Sequence, residues 1–145
     1  WFYKEILTLI VRRLKKETGA KIALASLPPI GEDPNHYSWI RIKEYVEIIK
    51  SVVEAEKTEY LPLYETMTEY ILKAPKKQCI PFDQIGNAVK YALWQHHMMG
   101  KTWDEISAHF GYHLLVDGLH FNTKGGMIMA DLASSFITNV KNANS

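Results

Sequence analysis

Asp117 and His120 are the residues of this sequence whose types and spacing most invite chemistry. They lie in Leu115-Val116-Asp117-Gly118-Leu119-His120-Phe121-Asn122-Thr123-Lys124-Gly125, which reads as a loop running into a helix. A carboxylate three residues before an imidazole can accept from one ring nitrogen and fix the tautomer, leaving the other nitrogen to face a nucleophile. Gly118 lets the chain fold tightly between them. The same pair has a plainer use, with Asp117 capping a turn and His120 a satisfied, half-buried side chain. An isolated Asp-x-x-His arises often by chance, so context must decide.

Other reactive residue types are less well placed. His109 and His113 have helical i, i+4 spacing with His96-His97 nearby, but Gly111 falls between the first pair and no His-Glu-x-x-His occurs. They read as ordinary surface or core histidines, and no metal site is expected. Ser26, Ser38, Ser51, Ser107, Ser134 and Ser135 sit in strand, cap or helix contexts that do not present an activated hydroxyl. Ser38 reads as a helix cap, and no Gly-x-Ser-x-Gly elbow is present.

The elements that would position Asp117 and His120 follow from periodicity. Phe2, Ile6, Leu9, Ile10 and Leu14 recur at helical spacing up to Gly19. Lys21–Leu27 is apolar on both faces and stopped by Pro28-Pro29, the pattern of a strand in a parallel sheet covered on two sides. After a polar loop, a helix is expected from about Ser38 to Lys57, with Ile42, Tyr45, Val46, Ile49 and Val53 as its stripe. Glu59–Leu63 is a candidate strand weakened by Pro62. Helix, strand, helix, strand is the rhythm of an open α/β sheet.

From Tyr64 the rhythm changes. A short helix to about Ala74 precedes the loop-like Lys73–Pro81 segment, and then Ile85, Val89, Leu93 and His96 share a helical face. Thr102-Trp103-Asp104-Glu105 is a capping box opening a brief helix that Gly111 closes. Met129, Leu132, Ala133, Phe136, Ile137 and Val140 mark a terminal helix capped by Asn122 or Thr123. The stretch from Tyr64 to Phe110 is longer than a connection requires. Its Trp94, Met98, Met99, Trp103 and Phe110 would wall an acyl pocket, form a lid, or serve as plain core.

The whole chain bounds these readings. Its 145 residues suit one domain, and 47% hydrophobic with 23% charged residues is an ordinary globular balance. A net charge of +1 gives no electrostatic reason to expect nucleic acid or an anionic membrane surface as a partner. The single Cys79 excludes an internal disulfide. No apolar run approaches the ~20 residues of a transmembrane segment.

Asp-Gly-Leu-His-Phe-Asn-x-x-Gly followed by an amphipathic helix resembles the last conserved block of the SGNH (GDSL-type) hydrolases. Lys21–Glu32, ending in Leu-Pro-Pro-Ile-Gly-Glu, also looks like that family's strand and loop after its third block. The resemblance covers most of the chain. It implies a three-layer α/β/α flavodoxin-like fold, incomplete here, with 1–145 the C-terminal portion of one domain bearing a helical insertion at about 64–110. It implies Asp117 and His120 as the acid and base of a Ser-His-Asp ester hydrolase that needs no metal or organic cofactor.

The family's Gly-Asp-Ser block and the Gly and Asn of its oxyanion hole do not occur in this sequence. Sheet logic points the same way, because two strands cannot cover a strand buried on both faces. The expectation is that the remaining strands, with Ser and oxyanion donors, lie N-terminal to Trp1, leaving this chain inert alone. The substrate would be a small-molecule or lipid ester. The rival is a non-catalytic flavodoxin-like interaction module in which Asp117 and His120 are structural.

Overall fold

A computed structural model describes residues 2–143; Trp1, read above as helix interior with Phe2, lies outside them. Chain order is α1 (Phe2–Thr18), β1 (Ala23–Ala25), α2 (Tyr37–Glu56), β2 (Glu59–Leu61), α3 (Leu63–Lys73), a 3-10 turn (Phe82–Gln84), α4 (Ile85–Met99), α5 (Trp103–His109) and α6 (Thr123–Ala143). Helix accounts for 66% and strand for 6%.

The three-layer α/β/α expectation is therefore overturned. Among the described residues the sheet has two parallel strands, paired Ala23 to Glu59, Leu24 to Tyr60 and Ala25 to Leu61. Lys21–Leu27 contributes only three residues to the ladder because Pro28-Pro29 turns the chain away. Pro62 ends β2 by occupying the cap position of α3. A two-stranded ribbon cannot form a central layer, and β1 is half-buried rather than enclosed on both faces.

Local sequence chemistry otherwise yields the elements expected of it. Thr102 Oγ1 accepts from the Glu105 backbone N–H while the Glu105 carboxylate accepts from the Thr102 N–H, a complete capping box. α2 is capped by His36 Nδ1, which accepts from the Ser38 N–H; Ser38 instead donates its hydroxyl to the Ile30 carbonyl. Its buried face is Trp39, Ile42, Val46, Ile49 and Val52, so Val52 rather than Val53 turns inward.

The core is centred away from the sheet. Trp39, Leu63, Met67, Ile71, Ala88, Ala92, Ile106, Phe110, Tyr112, Leu114, Leu115 and Val116 form one cluster, against which Phe121, Ile128, Met129 and Leu132 pack. The segment 112–116 runs through its middle and leads directly to Asp117.

Two apolar faces stand outside this cluster. α1 buries Val11 against α2, aided by an edge-on Tyr3–Tyr45 contact and an Arg12–Glu56 ion pair of 2.9 Å. Phe2, Ile6, Leu9, Ile10 and Leu14 remain exposed. On α4 the inward residues are Ile85, Ala88, Ala92 and Gln95, so the face expected from Ile85, Val89, Leu93 and His96 is rotated and Leu93 is exposed.

Leu114→Ala removes a fully buried side chain from the centre of the cluster and should lower unfolding free energy by about 2–5 kcal/mol in urea titrations. A loss below about 1 kcal/mol would show that segment 112–116 is not the organising core.

Candidate functional site

The site loop is built from both ends. On its N-terminal side, the Glu32 carboxylate accepts backbone N–H bonds from His113 at 2.7 Å, Leu114 at 2.7 Å and Leu115 at 3.1 Å. Glu32 is only 7% exposed and lies on the loop after β1. Sequence reading placed it in a polar loop and gave it no role, because its partners are over 80 positions away. Leu115 and Phe121 then form an isolated antiparallel bridge that closes the loop's neck, with Val116 N–H donating to the His120 carbonyl at 2.7 Å.

On its C-terminal side, Asn122 caps α6. Its Oδ1 accepts from the Gly125 N–H at 3.0 Å, and its Nδ2 donates to Ser107 Oγ and the His113 carbonyl. Asp104 accepts from the Thr123 N–H. Ser107 is thus consumed in buried scaffolding, its own hydroxyl donating to the Leu115 carbonyl at 2.6 Å. Gly125 is fixed by space, since a Cβ there would lie 2.3 Å from the Leu114 carbonyl oxygen.

Gly118 is needed on two counts. Its φ is +93°, and a Cβ would meet Ile85 Cδ1 at 2.8 Å and the Tyr112 hydroxyl at 2.9 Å. Its carbonyl accepts from the Gly31 N–H at 2.8 Å, joining the site loop to the loop after β1.

Within this frame Asp117 and His120 meet. His120 Nδ1 lies 2.8 Å from Asp117 Oδ2, while Asp117 Oδ1 accepts the backbone N–H groups of Leu119 and His120 at 3.0 Å each. Asp117 is 3% exposed, whereas 68% of the His120 side chain is open to solvent. The carboxylate thus divides its oxygens, one organising the turn and the other holding the ring. Among the described residues Nε2 has no hydrogen-bond partner. With Asp117 accepting from Nδ1–H, Nε2 is the basic nitrogen and faces outward.

No serine of the described chain hydrogen-bonds to His120. Ser26 accepts the Tyr64 N–H at 2.7 Å, Ser38 and Ser51 donate to nearby carbonyls, and Ser134 and Ser135 are exposed on α6. His113 Nε2 contacts the Pro75 carbonyl, and His96 stacks on Trp103 with centroids 3.9 Å apart. Among the described residues no group of three or more His, Cys, Asp or Glu side chains could hold a metal.

A cleft of about 500 Å³ opens beside the site loop, lined by Ile30, Glu32, His36, Ile71, Cys79 and His113 among others. Burial pushes the Cys79 thiol up to about 11, reinforced by the nearby Glu32 carboxylate. It is a neutral, unreactive wall. A larger hollow of about 690 Å³ lies where the chain enters the two strands, lined by Lys15, Lys21, Lys57 and Phe136, away from the site loop.

Two outcomes follow. Glu32→Gln should lower stability by about 1–3 kcal/mol, because an amide cannot accept all three N–H groups; an unchanged urea midpoint would mean the carboxylate does not hold the segment. Cys79 should alkylate slowly with iodoacetamide at neutral pH, its rate climbing as pH approaches about 11. Rapid labelling at neutral pH would contradict the half-buried, neutral thiol.

Comparison with family models, curated proteins and solved structures gives no match to this chain. The site must be read from its own geometry.

Proposed function

We propose that Asp117 and His120 are the acid and base of an acyl hydrolase acting on ester bonds, with the nucleophilic serine and oxyanion donors supplied by polypeptide outside residues 1–145. The observation that carries this reading is the 2.8 Å contact from Asp117 Oδ2 to His120 Nδ1, with the carboxylate buried and the ring open. A turn-capping role needs only Oδ1. The ring contact on Oδ2 and the outward Nε2 are surplus to that role and match what a general base requires. The Asp-Gly-Leu-His-Phe-Asn-x-x-Gly resemblance to SGNH hydrolases supports the same reading.

In this mechanism the serine oxygen attacks the ester carbonyl as its proton passes to His120 Nε2. The tetrahedral adduct collapses, the bond to the alcohol oxygen breaks, and Nε2 returns the proton to that oxygen. Water then attacks the acyl-serine, giving its proton to Nε2, which hands it back to the serine as the acid departs. Asp117 keeps Nδ1 protonated and stabilises the imidazolium in both halves. The cleft lined in part by Gly31, whose N–H donates to the Gly118 carbonyl, offers space for one substituent of the ester.

Hydrolysis of p-nitrophenyl acetate by the protein joined to its serine-bearing segment should fall roughly 10³–10⁴-fold for His120→Ala and for Asp117→Asn. Residues 1–145 alone should match free imidazole. Full activity in either variant would remove the assignment.

A further inference from the structure

The cleft of about 500 Å³ has two walls, and both are pinned to the segment 110–115. One wall is the loop 30–36, tied down where the Glu32 carboxylate accepts the N–H groups of His113, Leu114 and Leu115. The other is the run 75–81 after α3, which has no helix or strand of its own. His113 Nε2 contacts the Pro75 carbonyl at 3.0 Å. The Ile80 N–H donates to the Phe110 carbonyl, and the Tyr112 hydroxyl donates to the Ile80 carbonyl. Two irregular segments fastened in this way hold the cleft open between them.

The polar groups inside these walls are already spent. Glu32 gives both carboxylate oxygens to backbone, and Ser38 donates its hydroxyl to the Ile30 carbonyl. His36 Nδ1 accepts the Ser38 N–H, and Cys79 Sγ donates to the Gly111 carbonyl at 3.2 Å. Burial keeps that thiol neutral. On the exposed rim, Lys76 and Lys77 are balanced by Asp33 and Asp83. A ligand rich in hydrogen-bonding groups would lose its water and find no partner inside. Hydrocarbon is what the cleft offers, from Ile30, Pro34, Ile71, Leu72, Ile80 and Pro81. Its volume lies in the range of small-molecule sites. We propose that this cleft binds an uncharged alkyl chain.

The cleft and the imidazole belong to one connected piece of structure. Gly31 lines the cleft and its N–H donates to the Gly118 carbonyl at 2.8 Å. Ile85, against which Gly118 packs, follows Asp83 of the rim by two residues. Gly118 itself lies between Asp117 and His120. Resting on the hydrolase reading, the alkyl chain is then one half of the ester. The substrate class is esters with an alkyl acid or an alkyl alcohol, rather than esters polar on both sides. Trp94 and Met98 stand exposed on α4 and are not among the walls.

The test is titration of residues 1–145 with n-octanol and n-butanol, followed by NMR of the methyl groups. Shifts of Ile30, Ile71 and Ile80 should saturate, and affinity should rise roughly two- to fourfold for each added methylene. Ile30→Ser with Leu72→Ser should weaken octanol binding roughly tenfold while the circular dichroism spectrum is unchanged. Lys76→Gln with Lys77→Gln should leave it unaltered. Octanol that fails to saturate, or that shifts Leu9 and Ile10 of α1 or Leu93 and Met98 of α4 instead, overturns the proposal. So does undiminished binding by the Ile30 and Leu72 variant.

His120→Ala separates this proposal from the hydrolase reading: octanol should still bind while the protein joined to its serine-bearing segment loses ester hydrolysis. In that protein, a higher kcat/KM for p-nitrophenyl octanoate than for the acetate places the acid's chain in the cleft. A higher value for octyl acetate than for ethyl acetate places the alcohol's chain there. Either preference should vanish in the Ile30 and Leu72 variant. Hydrolysis indifferent to both chain lengths would remove the cleft from the substrate. Octanol binding with hydrolysis indifferent to His120 would leave the alkyl site standing and remove the enzyme.

Discussion

Three backbone N–H groups converging on the Glu32 carboxylate hold the site loop to the rest of the chain. Residues 113–115 lie in or beside the core, yet among the described residues they have no strand to pair with apart from the short bridge from Leu115 to Phe121. Buried backbone donors left without partners would cost stability comparable to lost hydrogen bonds. One acidic side chain from the loop after β1 answers all three. It acts as a substitute strand, and it fixes the direction in which the chain arrives at Asp117.

From that tie the site is assembled by division of labour among polar groups. Asp117 uses one oxygen for the turn and one for the ring. Asn122 uses its amide oxygen for the α6 cap and its amide nitrogen for Ser107 and the His113 carbonyl. Asn122 is therefore held by backbone on both sides of the loop, and Asp117 by backbone within it. Gly118 and Gly125 allow the approaches that side chains would block. The imidazole is the one member left facing outward, so the surrounding order serves to aim it.

Apolar surface is distributed unusually across the helices. The core cluster gathers around 112–116, whereas α1 and α4 keep large apolar residues in solvent and α6 is only half-buried along most of its stripe. A stripe at helical period shows that a helix has an apolar face. Whether that face meets the rest of the chain is a separate matter. The α4 face illustrates this best, since its periodic residues were legible and their direction was not.

Helices α2, α3, α5 and α6, the capping box at Thr102 and the Asn122 cap all followed from residues within a few positions of one another. Those interactions are local, and local chemistry is written in order along the chain. The Asp117–His120 pair was legible for the same reason, three residues and one glycine apart. The depth of the sheet, the role of Glu32, the rotation of α4 and the consumption of Ser107 were not. Each depends on groups brought together from distant positions: Pro28-Pro29 and Pro62 cutting both strands short, an acid meeting amides 81 to 83 residues away, and packing volumes choosing alanines for the inside of α4. Sequence alone determined which segments are helical and which carboxylate serves which imidazole. Tertiary structure decided what those segments bury, because burial is settled by neighbours that no local pattern names.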